Sequence, residues 1–363
     1  MTSFMRRNAL VPIAAAILVL AAACGSSGSG KPAATGGSGT TSAQLPTTTL
    51  KGSGSTFQDP FDEEVFRDFQ TDAQPNVTVT YNSVGSGQGQ TDLQGGVTDF
   101  AGSDSLIAAA DASKFKGAFL YIPIVSAPIT ISYNVSGVSK LTLSATTIAK
   151  IFASKITTWN DAAIATDNPG VTLPSTAITV VHRSDGSGTT ANFTDYLTLA
   201  ASTSDWPLGT GKTVSWASTT IGANGNAGVA AKVKSTDGAI GYVDFSDATK
   251  SGLTFASVKN AAGTVVAPSL AGATAAMASA PVTPDVTVSP MNAPGADAYP
   301  ITSPTYIIVY VNQTSHDKGT ALKALLEYVL STGQSKAAAL DFAALPPALL
   351  TQAKAQLDKI VIP

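Results

Sequence analysis

Arginine is scarce in this chain. The 363 residues include only four, Arg6, Arg7, Arg67 and Arg183, and charged residues of all kinds make up 12%. Histidine is rarer still: His182 and His316 are the only two, so chemistry that needs a histidine base has two candidates. Cysteine occurs once, at Cys24. The formal net charge is -3, and so acidic a chain lacks the basic footprint of a nucleic-acid binder. Long apolar runs are missing beyond the first residues, which excludes later membrane-spanning helices.

What is present begins with a leader. Arg6 and Arg7 form a basic start, Leu10 to Leu20 an apolar core, and Ala21-Ala22-Ala23 a small-residue cleavage site directly before Cys24. A stray thiol is the bland reading of Cys24. Its position points instead to the lipid-modified first residue of a mature bacterial lipoprotein, with residues 1–23 as signal peptide. The box departs from the usual pattern in having Ala21 three places before the cysteine, with Leu20 one place further back. With Cys24 acylated no thiol remains, so disulfides and cysteine-based metal sites are excluded. Losing two arginines and no acid takes the net charge from -3 to -5. Residues 24–46 carry the lipid and a Gly, Ser, Thr and Ala-rich tether of the kind that holds a domain off a surface.

From Thr47 onward the hydrophobic pattern alternates between two periods. Short strand-like runs at 77–81, 118–125, 129–135, 177–181, 239–243 and 305–311 are interleaved with helical patterns at 60–70, 144–154, 189–200, 226–235, 319–331 and 347–360. That alternation predicts an α/β fold with mainly parallel sheet, and the length favours two domains.

Three loops are rich in Gly, Ser and Thr: 52-GSGSTF-57, 85-GSGQG-89 and 183-RSDGSGT-189. A helix preceded by such residues offers free N–H groups, hydroxyl donors and a favourable dipole to an oxyanion; alone, each loop also reads as an ordinary cap and turn. Together with the rare Arg183 they point to anion binding. Nucleotide motifs fail, because a Walker A loop ending at Gly211 would need glycine where Trp206 stands, and a dinucleotide loop over Gly85 and Gly87 would need it at Gln90. A serine-hydrolase elbow around Ser187 fails because Asp185 occupies the place of its first glycine. His182 should point to the strand face opposite Arg183, as a structural or rim residue, and His316 lies in a polar surface stretch. The segment 99-DFAGSDS-105 adds a carboxylate near the candidate site. Phosphate still carries an O–H proton at neutral pH and sulfate does not, so an ionised Asp104 would accept a hydrogen bond from the first and repel the second.

The ordered set GSGSTF, the loop around Ser86, DFAGSD, RSDGSGT, 240-IGYVDF-245 and 300-PITSPTYI-307 resembles the phosphate-binding proteins (PstS) of the bacterial phosphate-specific ABC transporter, from about Leu50 to near the C-terminus. The resemblance implies a two-lobed periplasmic-binding-protein fold, a Venus flytrap whose lobes are mainly parallel sheets flanked by helices, with ligand in the cleft. Lobe one would be 46–127 plus 298–363 and lobe two 128–297. It implies phosphate contacts from Thr56 (hydroxyl and N–H), Phe57 (N–H), Ser86, Asp104 as proton acceptor, Arg183, Ser187, Gly188 and Thr189, with Asp185 holding Arg183. The implied protein is a monomeric, extracytoplasmic, Cys24-anchored lipoprotein that is not an enzyme. It would use no metal or other cofactor, bind no nucleic acid, and hand inorganic phosphate to a membrane permease. Two departures stand out: Gly87 sits where a second serine is common, and His182 where relatives carry another basic residue.

Overall fold

The computed structural model describes residues 44–363. The leader, Cys24 and most of the tether lie outside the described residues. Among those described, no helix is long and apolar enough to cross a membrane.

Twelve strands follow in order: β1 (Thr48–Gly54), β2 (Val77–Ser83), β3 (Phe100–Ser103), β4 (Phe119–Asn134), β5 (Thr142–Leu143), β6 (Thr179–Arg183), β7 (Ile221–Ala223), β8 (Ala239–Asp244), β9 (Thr254–Phe255), β10 (Ser257–Lys259), β11 (Val265–Val266) and β12 (Thr302–Tyr310). The main sheet runs β2-β1-β3-β12-β4-β8-β6-β7, with β9 also on β4. In its first half β1, β2 and β3 are mutually parallel and β12 alone runs against them and β4. In the second half β6, β7 and β8 are parallel to one another and opposed to β4. Strands β5, β10 and β11 form a small separate sheet.

The joint between the halves is β4. The sequence reads as two strands interrupted at Ser126-Ala127-Pro128, but the chain runs through as one strand of 16 residues, buried along nearly its whole length. Residues Phe119 to Pro128 pair with β12, and Ile129 to Asn134 pair with β8. Proline cannot donate to a ladder and is tolerated only at irregular places. Here Pro123 sits at the register shift opposite Thr305/Tyr306, and Pro128 sits where the partner strand changes.

The expected helices lie within a few residues of their places, at Asp59–Asp68, Ala145–Phe152, Gly188–Ala200, Gly225–Ser235, His316–Tyr328 and Pro347–Gln356. Side-chain caps fix several starts: Ser144, Ser187 and Ser315 each accept an N–H from the first turn. The helix Ser86–Gly95 has too few apolar residues to be read by periodicity. One large core gathers Phe57, Phe61 and Phe66 with Ile122, Ile124, Trp159, Phe193 and Tyr242.

Candidate functional site

Every loop that carries a candidate residue leaves the carboxyl end of a strand and starts a helix. β1 leads through Ser55–Gln58 into Asp59–Asp68, β2 through Gly85 into Ser86–Gly95, β6 through Ser184–Ser187 into Gly188–Ala200, and β7 through Asn224 into Gly225–Ser235. Ligands of open α/β sheets collect at such strand ends. Four helix starts therefore aim their positive dipole ends at one place.

Asp104, one residue past β3, is at the centre and only 3% exposed. Its Oδ1 accepts from Ser55 Oγ at 2.5 Å and lies 2.8 Å from Thr305 Oγ1, while its Oδ2 lies 3.4 Å from Ser86 Oγ. Ser55 Oγ in turn accepts the Phe57 N–H at 3.0 Å, leaving its own hydrogen for Asp104. Burial pushes the Asp104 carboxyl up to about 6, against the hydrogen bonds of Ser55 and Thr305 and the Arg183 charge, which pull it down. From the other half of the sheet, the start of the Gly188–Ala200 helix comes against this carboxylate. A Cβ on Gly188 would stand 2.5 Å from Ser86 Oγ and 2.8 Å from Asp104 Oδ2. Only glycine permits that approach.

Arg183 ends β6 with its side chain 1% exposed. Its Nε donates to Asp185 Oδ1 at 2.8 Å and its Nη2 pairs with Asp185 Oδ2, a two-pronged fork. Burial alone would raise the Asp185 carboxyl, but the Arg183 hydrogen bonds and charge hold it below its ordinary value. The Gly225 N–H also donates to Asp185 Oδ1, at 3.1 Å. Gly85 faces the same carboxylate with φ of +89°, and a Cβ there would fall 2.3 Å from Asp185 Oδ2. The Tyr242 hydroxyl fixes the strand end, accepting the Arg183 N–H at 3.0 Å and lying 2.6 Å from Thr190 Oγ1.

One residue of this cluster escaped the sequence reading. Asn226, fully buried, donates from Nδ2 to Thr56 Oγ1 and to Thr189 Oγ1, each at 3.1 Å, and its backbone N–H donates to Thr56 Oγ1 at 3.3 Å. Thr189 Oγ1 also accepts from Arg183 Nη1 at 3.4 Å. Both threonine oxygens thus have two donors on their lone pairs, so the hydroxyl hydrogens of Thr56 and Thr189 are left to donate elsewhere. Its signal was the run 221-IGANGN-226, which repeats the strand, Gly-rich turn and helix order of the other loops.

The structure therefore brings Thr56, Ser86, Asp104, Arg183, Gly188 and Thr189 together. Ser187 caps its helix, accepting the Thr190 N–H at 3.1 Å. Phe57 turns its ring into the core against Phe342, and its N–H is the one held by Ser55. His182 stacks on Trp216 with ring centroids 4.7 Å apart, and burial lowers its pKa against the hydrogen bond to the Arg183 carbonyl. Asp99 lies outside the site, in a salt bridge with Lys318. Further contacts join the two halves of the sheet around the site: Gly87 N–H to Gly186 O at 2.7 Å, and Asn192 Nδ2 to Asp104 O at 2.8 Å and to Ser303 Oγ at 2.6 Å. Among the described residues no cluster of His, Cys, Asp and Glu is arranged to hold a metal.

A buried Arg–Asp fork, an opposing carboxylate and four helix starts meeting where two half-sheets face each other define a binding protein of the two-lobed periplasmic type. The family model described as a PBP superfamily domain matches residues 36–332. Phosphate-binding protein PstS 3 of Mycobacterium tuberculosis is 38% identical over 348 residues, 91% of this chain and 92% of that one. Phosphate-binding protein PstS of Xylella fastidiosa is 32% identical over 316 residues, 86% and 85%. The solved structure of a high-affinity periplasmic phosphate-binding protein, PfluDING, bound with phosphate superposes with a TM-score of 0.68 at 23% identity, covering 85% of this chain and 93% of that one. The chain belongs to the PstS family of phosphate-binding proteins within the PBP superfamily.

Proposed function

We propose that this protein binds one inorganic phosphate between its lobes and delivers it to the permease of an ABC transporter. The observation that carries the reading is the placement of Asp104 and Arg183 in one buried site: a base that can take a hydrogen bond, and a cation already half-neutralised by Asp185. Thr56 and Thr189, their lone pairs filled by Asn226 and Arg183, donate hydroxyl hydrogens to phosphate oxygens. Ser86 and the N–H groups of Ser86, Gly188 and Thr189 add donors, and Asp104 accepts the phosphate proton; the expected Phe57 and Ser187 N–H contacts are not available, since Ser55 Oγ holds the first and the Lys212 carbonyl the second. Hydrogen bonds to an ionised partner contribute about 1.5–3 kcal/mol each. Several such bonds from groups already in position reach the roughly -8 kcal/mol of micromolar binding.

The lobe division 46–127 with 298–363 against 128–297 is supported by the change of partner along β4 at Pro128/Ile129. On this division the anion touches both lobes, so binding favours the closed state. All of its ligands come from one chain, consistent with a monomer. The order of leader, cysteine and tether supports an extracytoplasmic lipoprotein held to the membrane through Cys24. The proposed transport role includes no chemical step on phosphate.

Calorimetric titration of protein lacking residues 1–24, unfolded and refolded to strip ligand, tests the core of this reading. Tight one-to-one phosphate binding with no heat from sulfate is expected. Sulfate binding alone would reassign the anion, and silence from both would refute the site.

A further inference from the structure

Behind Asp104 runs a line of buried polar groups. Gln58 Nε2 donates to Asp62 Oδ2 at 2.7 Å; Thr305 Oγ1 lies 2.5 Å from Gln58 Oε1 and 2.8 Å from Asp104 Oδ1. Gln58, Asp62 and Thr305 are fully buried.

Counting hydrogens along this line gives an uneven result. The Thr305 hydroxyl owns one hydrogen, yet both of its neighbours in this arrangement are acceptors. An amide can be turned end for end without changing its shape, so both orientations of Gln58 have to be considered. With its NH2 on Asp62, Gln58 takes the Thr305 hydrogen, and the contact between Thr305 and Asp104 needs a proton from Asp104. With the amide turned, Gln58 donates to Thr305 and Thr305 donates to Asp104. The contact between Gln58 and Asp62 then needs a proton from Asp62. Either way the line holds one proton more than two ionised carboxylates provide. Only the second arrangement leaves Asp104 an acceptor, as the proposed phosphate recognition requires, and to that extent the inference rests on that reading.

We propose that Asp62 is a buried, protonated acid whose hydrogen sets the direction of the relay Asp62 to Gln58 to Thr305 to Asp104, and so keeps Asp104 ionised and accepting. Asp62 is then a positioning residue that never touches the anion. Its surroundings agree. Asp62 Oδ1 has no hydrogen-bond partner, and a buried carboxylate left in that state is far costlier than a neutral acid. The charged and titratable groups facing it are Asp59 from its own helix, Asp104 from the end of β3, and the phenol of Tyr81 from β2. None is a cation. Burial, then the Asp59 and Asp104 charges, raise the Asp62 carboxyl well above its usual range, while Gln58 pulls the other way. Gly102 of β3 keeps the relay in place, since a Cβ there would stand 2.6 Å from Gln58 Nε2.

The test is infrared spectroscopy of the phosphate-free protein, labelled with carbon-13 aspartate, at mildly alkaline pH. Wild type minus Asp62→Asn is expected to contain a carboxylic-acid carbonyl band, and wild type minus Asp104→Asn to contain none. A band in the second difference and none in the first would put the proton on Asp104 and overturn the proposal, as would no band in either. Phosphate titration against pH gives the second readout. Asp62→Asn still donates to Gln58 and should keep the wild-type profile. Thr305→Val removes the relay's donor to Asp104 and leaves those of Ser55 and Ser86, so it should weaken phosphate by about tenfold at neutral pH and move the acid-side loss of binding to higher pH. An unmoved profile in Thr305→Val would overturn the relay even if Asp62→Asn failed to fold. Failure of wild type to take up phosphate would instead sink the functional reading, and the infrared result needs no phosphate.

Discussion

Replacing Asp104 by asparagine should make the protein more stable and less discriminating at once. The amide matches the carboxyl in shape but carries no charge, and its orientation is dictated. Ser55 Oγ already accepts the Phe57 N–H, so its hydrogen needs an acceptor and the amide oxygen must stay at the Oδ1 position. The NH2 group then takes the place of Oδ2, facing Ser86 and Gly188. In wild type a carboxyl that titrates near 6 when folded and near 3.8 when unfolded costs the folded state about 3 kcal/mol at neutral pH. Because the folded-state value is raised, the cost is complete above about 6, shrinks as pH falls towards 3.8, and is absent below it. The ligand-free variant should therefore gain up to about 3 kcal/mol over wild type in neutral denaturant titrations, with the gain fading in acid. Phosphate loses one charge-assisted bond, about 1.5–3 kcal/mol or roughly tenfold to a hundredfold in affinity. Sulfate, no longer set against a buried carboxylate, should bind more tightly than to wild type. Calorimetry with both anions reads the ratio. A variant less stable than wild type at neutral pH, or one with the wild-type preference for phosphate over sulfate, would refute the account.

Gly188→Ala should hold the two lobes apart, because the new Cβ meets Ser86 and Asp104; a larger radius of gyration with phosphate and weakened binding are expected in scattering and titration. Asn226→Ala frees the lone pairs of Thr56 and Thr189, so phosphate affinity should fall about tenfold, chiefly through faster release in stopped flow. In a background with both threonines changed to valine, the same substitution should cost much less. Asp167→Ala is the control: Asp167 accepts from the Ser144 N–H and hydroxyl and from Thr147 Oγ1, at 2.6–3.0 Å, remote in sequence from every site loop. Its loss should cost about 2–3 kcal/mol in denaturant titrations and leave phosphate affinity unchanged.

Much of the site was legible because each loop announces itself locally. Gly and Ser between a strand-like run and a helix-like run mark a helix start whatever the rest of the chain does, and Arg183 stands out through the rarity of its residue type. Asn226 was legible only as part of the helix start in 221-IGANGN-226. It reads as an ordinary residue at a helix start, and its meaning lies in a contact with Thr56, 170 positions away. Thr305 and Ser55 were inside motifs that could be recognised, yet their task, filling Oδ1 so that Oδ2 is left for the cleft, is a matter of which oxygen faces which way. The continuity of β4 was hidden for a different reason: Pro128 is normally a strand breaker, and nothing local reveals that one partner strand ends and another begins there.

That shared strand has a consequence for the molecule as a material object. A cut at Pro128 would leave each length of β4 on its own ladder, Phe119–Ala127 on β12 and Ile129–Asn134 on β8, and would remove only the covalent continuity that sets one half-sheet against the other. Slow proteolysis at Ser126–Ile129 is expected from the same continuity, because those residues are buried within the strand that joins the halves.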